Sequence, residues 1–227
     1  MYRFPARHKV LEFGVFASLL RMTAKYGFPD VREALIEDLK GAYPTKWEDF
    51  ETAKVLGEDV FGSPKPHPNA VLNLLLEQRI KFAVPFAAYR ATMGGFSALI
   101  SDKSDAVLPR TTLASIIHGI ERIRHVMVQV SHSIVYNGNL RVCPRRTCVL
   151  NVGTNPMEQR MEALKKVFGI MVDKSKGDVL SPLSFGDIVC VECAKLLEDA
   201  HLRYRERFVW VALPSLLGTA RVGKALD

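Results

Sequence analysis

Apolar residues recur every three or four positions in at least five segments of this chain, and no run alternates convincingly. A period near 3.6 lets a helix bury one stripe, whereas a half-buried strand needs a period of two. The pattern predicts an all-α, mainly helical fold with at most minor strand content, residues 149–152 being the one candidate strand.

Leu11, Val15, Leu19, Thr23 and Tyr26 mark the first helix, and Phe16 and Leu20 widen its stripe. Gly27-Phe28-Pro29 stops it, and Asp30 is a natural N-cap for the next helix. There Val31, Leu35, Leu39 and Ala42 face one way, Arg32, Glu33, Glu37 and Lys40 the other, and Pro44 ends the run. Gly57, Gly62, Pro64, Pro66 and Pro68 then break the chain, which makes this stretch the best domain boundary. Beyond it, helices are predicted at about 70–80 and 82–93, the latter with Pro85 in its first turn, before Gly94-Gly95 interrupts. The longest helix is expected at about 110–136, with a bend at Gly119 and an end at Asn137-Gly138-Asn139. Asn155 and Pro156 open a further helix that buries Met157, Met161, Leu164, Phe168 and Met171. The last one carries Cys193, Leu196, Leu197, Ala200, Tyr204, Phe208 and Val211 and closes at Pro214.

Composition adds outer limits. With 227 residues, 48% hydrophobic and 24% charged, the chain can bury one large or two small cores and does not read as disordered. No apolar run reaches the roughly 18 residues of a membrane span, and Met1-Tyr2-Arg3-Phe4-Pro5 opens no secretory signal. An intracellular home, cytoplasmic or nuclear, is therefore expected, with no membrane partner. The net charge of +7 permits weak attraction to nucleic acid but does not demand it, because the basic residues are scattered apart from small groups such as Arg141/Arg145/Arg146 and Arg203/Arg205/Arg207. Nucleic acid is disfavoured as a partner on that ground.

The four cysteines fall into two pairs, Cys143-x4-Cys148 and Cys190-x2-Cys193, with 41 residues between them. Two close pairs of thiolates can build the closed tetrahedral shell that structural zinc prefers. The second pair opens a helix, whose positive end favours thiolate, and Arg145 and Arg146 offset part of the site's charge. Two alternatives stand beside zinc: four buried cysteines acting as small apolar residues, or a redox pair. A thioredoxin-like role is disfavoured, because the βαβ context of that motif is missing. His118, His125 and His132 share a helix face but are too far apart along the axis to ligate one ion, and read as solvated. No P-loop, GxGxxG, GxSxG or HExxH is present, so the chain is expected not to be an enzyme, with no catalytic residues and no cofactor besides zinc.

Residues 13–32 carry Leu19-Leu20-Arg21-Met22, Lys25-Tyr26 and Val31-Arg32, and Tyr43-Pro44-Thr45 follows. This series is similar to the closing helices of the BTB/POZ domain in a large family of mushroom-type fungal proteins, in which an LLRLxxKY helix precedes an LR helix and a YP or YPT segment. Cys190-Val-Glu-Cys193 and Phe208-Val-Trp-Val-Ala-Leu-Pro214 resemble the cysteine pair and aromatic helix that end the same family. The resemblance implies an adaptor that works through protein partners, with a link to cullin-type ubiquitin ligases. It also implies strands and helices ahead of the first helix here, for which the chain has about a dozen residues. The expected layout is a truncated BTB/POZ-like end at 1–45, a linker at 46–68, a helical region with the four-cysteine zinc site at 69–218 and a tail at 219–227. Leu11, Val15, Phe16, Leu19 and Leu20 are expected to lie exposed, as a surface for a protein partner or for self-association. The rival readings are a zinc-stabilised, transcription-associated nucleic-acid binder and a truncated product with no independent function.

Overall fold

The computed structural model describes residues 11–56, 61–93, 95–100, 106–137, 143, 145–151, 153–174 and 178–216. Expectations for residues 1–10, Gly57, Gly94, Gly138, Asn139, Arg141, Val152 and the 219–227 tail lie outside this set, as does the side chain of Phe208. Among the described residues the fold is helical: α1 (Phe13–Tyr26), α2 (Pro29–Ala42), α3 (Trp47–Leu56), α4 (Pro68–Glu77), α5 (Val84–Met93), α6 (Gly95–Leu99), α7 (Arg110–His132), α8 (Met157–Lys174), α9 (Val191–Tyr204) and α10 (Leu213–Leu216). The described β structure is one isolated bridge, Leu11 to Phe61, and residues 149–151 form turns rather than a strand. The long helix runs as α up to His132 and continues as a π-helical turn over Ser133–Asn137. None of the described helices is long and apolar enough to cross a membrane.

The chain divides into two compact units, with the boundary between Leu113 and Ala114 in the first turn of α7. The Gly/Pro-rich stretch is not that boundary. Phe61, 6% exposed, packs edge-on against Phe13 and Phe16 with ring centroids at 5.1 and 5.3 Å, so this segment belongs to the first core. T-shaped ring pairs of this kind add to simple area burial.

Local chemistry sets the elements of the first unit. Gly27 takes φ +70°, and its N–H returns to the Thr23 carbonyl at 3.1 Å, closing α1 in a conformation that a side chain would strain. Pro29 then opens α2 at a position where no N–H is needed, so Asp30 lies inside the first turn and not at the N-cap. The predicted inner face of α2 holds, with Leu35 and Leu39 fully buried and Ala42 nearly so. Arg32 departs from expectation: it is half-buried, and its guanidinium donates to the Gln78 carbonyl at 2.8 Å at the end of α4. A cation there also meets the negative end of that helix. Asn69, 0% exposed, donates to the carbonyls of Leu99 and Ala106, each at 3.1 Å, and so ties α4 to the segment leading into α7.

The buried face of α1 differs from the predicted stripe. Phe16, Ala17, Leu20 and Thr23 are buried, and the Thr23 hydroxyl is satisfied by the Leu20 carbonyl at 2.9 Å. Leu11 and Leu19 are half-buried, and Val15 and Tyr26 are exposed. The expected exposed set of Leu11, Val15, Phe16, Leu19 and Leu20 is therefore corrected at Phe16 and Leu20, which fill the core of the first unit. The exposed apolar residues here are Val15, Met22, Tyr26 and Phe28.

Leu20→Ala should cost about 2–5 kcal/mol in urea unfolding, as expected for emptying a closed core site. Val15→Ala, one turn away on the outer face, should stay within about 0.5 kcal/mol of the parent.

Candidate metal centre

The second unit has a core into which the cysteines are built. Cys143, Cys148 and Cys193 pack with Val135, Leu150, Leu164, Val167, Met171, Phe185 and Leu197, and Cys190 packs against the same cluster. On α8 the inward line is Ala163, Leu164, Val167 and Met171, while Met161 and Phe168 are half-buried and Met157 is exposed. The helix thus turns a slightly different face to the core than its methionine stripe implies.

Two short backbone devices present the sulfurs. After Cys143 the chain turns tightly: the Cys148 N–H donates to the Arg145 carbonyl at 3.0 Å, and the Asn151 N–H to the Cys148 carbonyl at 2.9 Å. At the other pair Cys190 is the N-cap of α9, extended at φ −65° and ψ 160°, and its carbonyl accepts the Ala194 N–H at 2.8 Å. Cys193 therefore sits in the first turn of α9, with both sulfurs near the positive end of that helix.

All four sulfurs lie within 4.8 Å of one another. Thiol contacts cross between the segments, among them Cys143 Sγ to Cys190 Sγ at 3.6 Å and Cys148 Sγ to Cys193 Sγ at 3.9 Å. A tetrahedron of thiolates on zinc, with bonds of ~2.3 Å, has sulfur–sulfur edges of about 3.8 Å. The four sequence-predicted ligands are thus brought together. The arrangement is a possible metal site, and contraction of the widest edge by about 1 Å closes the tetrahedron.

The electrostatics are those of thiols held in a mostly apolar setting. Burial pushes the Cys143 and Cys193 thiols up from their usual range. Burial also works to raise Cys190, but hydrogen bonds from the Cys193 backbone N–H and the neighbouring thiols outweigh it and bring Cys190 down to about 7. The Arg145 backbone N–H plays the same part at Cys143. Each leading cysteine thus receives a backbone donor aimed at its sulfur, which favours the ionised form that a metal binds. At the rim, the Arg145 guanidinium is hydrogen-bonded to Glu192, and it also acts electrostatically on Cys190 and Cys143.

Two asparagines give the first loop its shape. Asn151, 8% exposed, donates to the Cys143 carbonyl at 2.7 Å and accepts from the N–H groups of Gly153 and Thr154 at 2.8 and 3.0 Å. Asn155 donates to the Cys148 carbonyl at 2.8 Å, so its carboxamide steadies the cysteine turn besides preceding α8. Sequence patterning missed Asn151, and its place three residues after Cys148 was the only available signal. His118, His125 and His132 are exposed along α7, and His125 meets Gln129 at 2.9 Å. They contribute nothing to the cysteine cluster.

No family model, curated protein or solved structure matches this chain.

Asn151→Ala should destabilise the second unit by on the order of 3 kcal/mol, because it removes four hydrogen bonds and strands the Cys143 carbonyl. Asn155→Ala, at a half-buried position, should cost about 1 kcal/mol. Denaturant unfolding of the two variants checks the order.

Proposed function

We propose that the chain is a non-enzymatic protein-interaction module whose second unit is closed by one structural zinc ion on Cys143, Cys148, Cys190 and Cys193. The observation that carries the metal part is the convergence of two thiol pairs, 41 residues apart, to within 4.8 Å. Thiolate softness and tetrahedral edges select zinc over oxygen-seeking cations such as magnesium or calcium. The two backbone donors, the start of α9 and Arg145 all favour the ionised sulfurs that such a site needs. A four-thiolate site has no open coordination position, so the ion serves to hold structure and not to activate water.

The adaptor part rests on the BTB/POZ-like series in α1 and α2 and on the apolar residues that α1 leaves exposed. Val15, Met22 and Tyr26 recur at helical spacing on its outer side, each 47–57% exposed, and Phe28 follows. A patch of large side chains beyond the usual scatter favours a protein partner or a second copy. The nucleic-acid reading is weakened by the pairing of Arg145 with Glu192, which neutralises one of the two arginines that motivated it. Steeply salt-dependent binding to generic DNA or RNA would restore it.

Metal analysis of the full chain, purified under reductant, tests the proposal. One zinc per chain is expected, with loss of the ion in Cys148→Ser and Cys193→Ser. Chelation should unfold the second unit, since binding free energy on the order of 10 kcal/mol is folding free energy in such sites. A zinc-free chain whose hydrogen-exchange protection survives chelator would leave the four thiols as plain core residues.

A further inference from the structure

We propose that Cys190 is an oxidation site at which a peroxide, acting as a two-electron oxidant, discharges the metal centre, with Cys143 as the resolving thiol. The inference rests on the metal reading above and adds a regulatory chemistry to it. Three of the four sulfur-bearing residues are sealed: Cys143 is 2%, Cys148 1% and Cys193 4% exposed. Cys190 is half-buried and is the most exposed residue of the four. Across the segments it contacts Cys143 Sγ at 3.6 Å, close enough to become a bond of ~2.05 Å with modest side-chain movement. Arg145, paired with Glu192, still acts electrostatically on the Cys190 and Cys143 sulfurs.

The chemistry balances in two steps. The Cys190 thiolate attacks one peroxide oxygen, the O–O bond breaks, and Cys190 becomes a sulfenic acid as hydroxide leaves. The Cys143 thiolate then attacks that sulfur, the S–O bond breaks, a second hydroxide leaves and the disulfide forms. Two thiolates have given two electrons to one peroxide. Zinc loses two of its four ligands, and a two-thiolate remnant holds it far less tightly. A dithiol reductant reverses the state by exchange, taking up the disulfide as its own.

The choice of partner thiol has a mechanical consequence. The bond between Cys143 and Cys190 joins the same two segments as the ion. Oxidation therefore exchanges one tether for another, and the second unit stays closed while the metal leaves. A disulfide within the Cys190–Cys193 pair would instead release the first loop. Cys148 and Cys193 remain reduced, 3.9 Å apart, until a second equivalent of oxidant arrives.

The test uses the full zinc-loaded chain and hydrogen peroxide at one equivalent. Zinc release is followed with a chromogenic chelator, and thiols are mapped by differential isotope-coded alkylation and non-reducing peptide mass spectrometry. The expected result is one zinc released per Cys143–Cys190 disulfide, with Cys148 and Cys193 still alkylatable after denaturation, and recovery on adding dithiothreitol and zinc. Because the order of modification is read on the unaltered chain, no variant's folding enters. First modification at Cys148 or Cys193, a Cys190–Cys193 disulfide, or zinc retained while added glutathione is oxidised would each overturn the proposal. If the purified chain carries no metal, the metal reading fails separately. The thiol map still decides the oxidation site, upholding it by a Cys143–Cys190 bond and overturning it by any other first product.

Discussion

Four sulfur atoms meet where a loop and a helix start converge inside the second unit, and they belong to its hydrophobic core. The sulfurs are not a surface ornament, because they share walls with Val135, Leu150, Val167, Phe185 and Leu197. This placement sets two demands against each other. Burial among apolar side chains disfavours thiolate, while metal binding requires it. The helix start, the two backbone donors and Arg145 reduce that conflict without bringing water into the core. Each of these groups lies within two or three residues of a cysteine, so the compensation is encoded in the same short stretches as the thiols.

The first unit is held by different means. Its core is aliphatic and aromatic, with Leu35, Leu39, Leu72 and Leu75 closed off and Phe61 wedged onto Phe13 and Phe16. Polar links confirm the packing more than they drive it. The Arg21–Glu77 pair has two good contacts, at 2.9 and 2.7 Å, yet both side chains are about half exposed. Water screens such a pair to at most about 1 kcal/mol. Asn69 differs, because its carboxamide is fully enclosed and loss of its bonds leaves two buried carbonyls to be satisfied.

The helical character and the pairing of cysteines were legible in the sequence because both are local. A helix stripe repeats within a turn, and a C-x2-C at a helix start fixes its own geometry. What could not be read depended on a third element. In α1, apolar residues occupy more than half the circumference, so periodicity alone admits a face centred on Leu19 or one centred on Leu20. Phe61 selects the second, and it comes from a stretch that looks like linker because of its prolines. Asn151 was invisible for a related reason. Its role is to bond the carbonyl of Cys143, eight residues earlier, and no residue-type pattern announces a carboxamide that closes a loop on itself.

The helix start explains why the two cysteines of the second pair are not equivalent. Cys148 and Cys193 face the core from both segments, and Cys143 is sealed beside them, while Cys190 stands at the helix N-cap, where its neighbours Val191 and Glu192 turn outward. An N-cap residue must leave the helical path, so its side chain reaches the edge of the packing that the helix interior enforces. Cys193, inside the first turn, has no such freedom. The difference in burial thus follows from the spacing of the pair across a helix start: one cysteine is fixed by the helix and the other by its cap. Here C-x2-C divides the pair between a half-buried cap residue and a sealed one in the first turn.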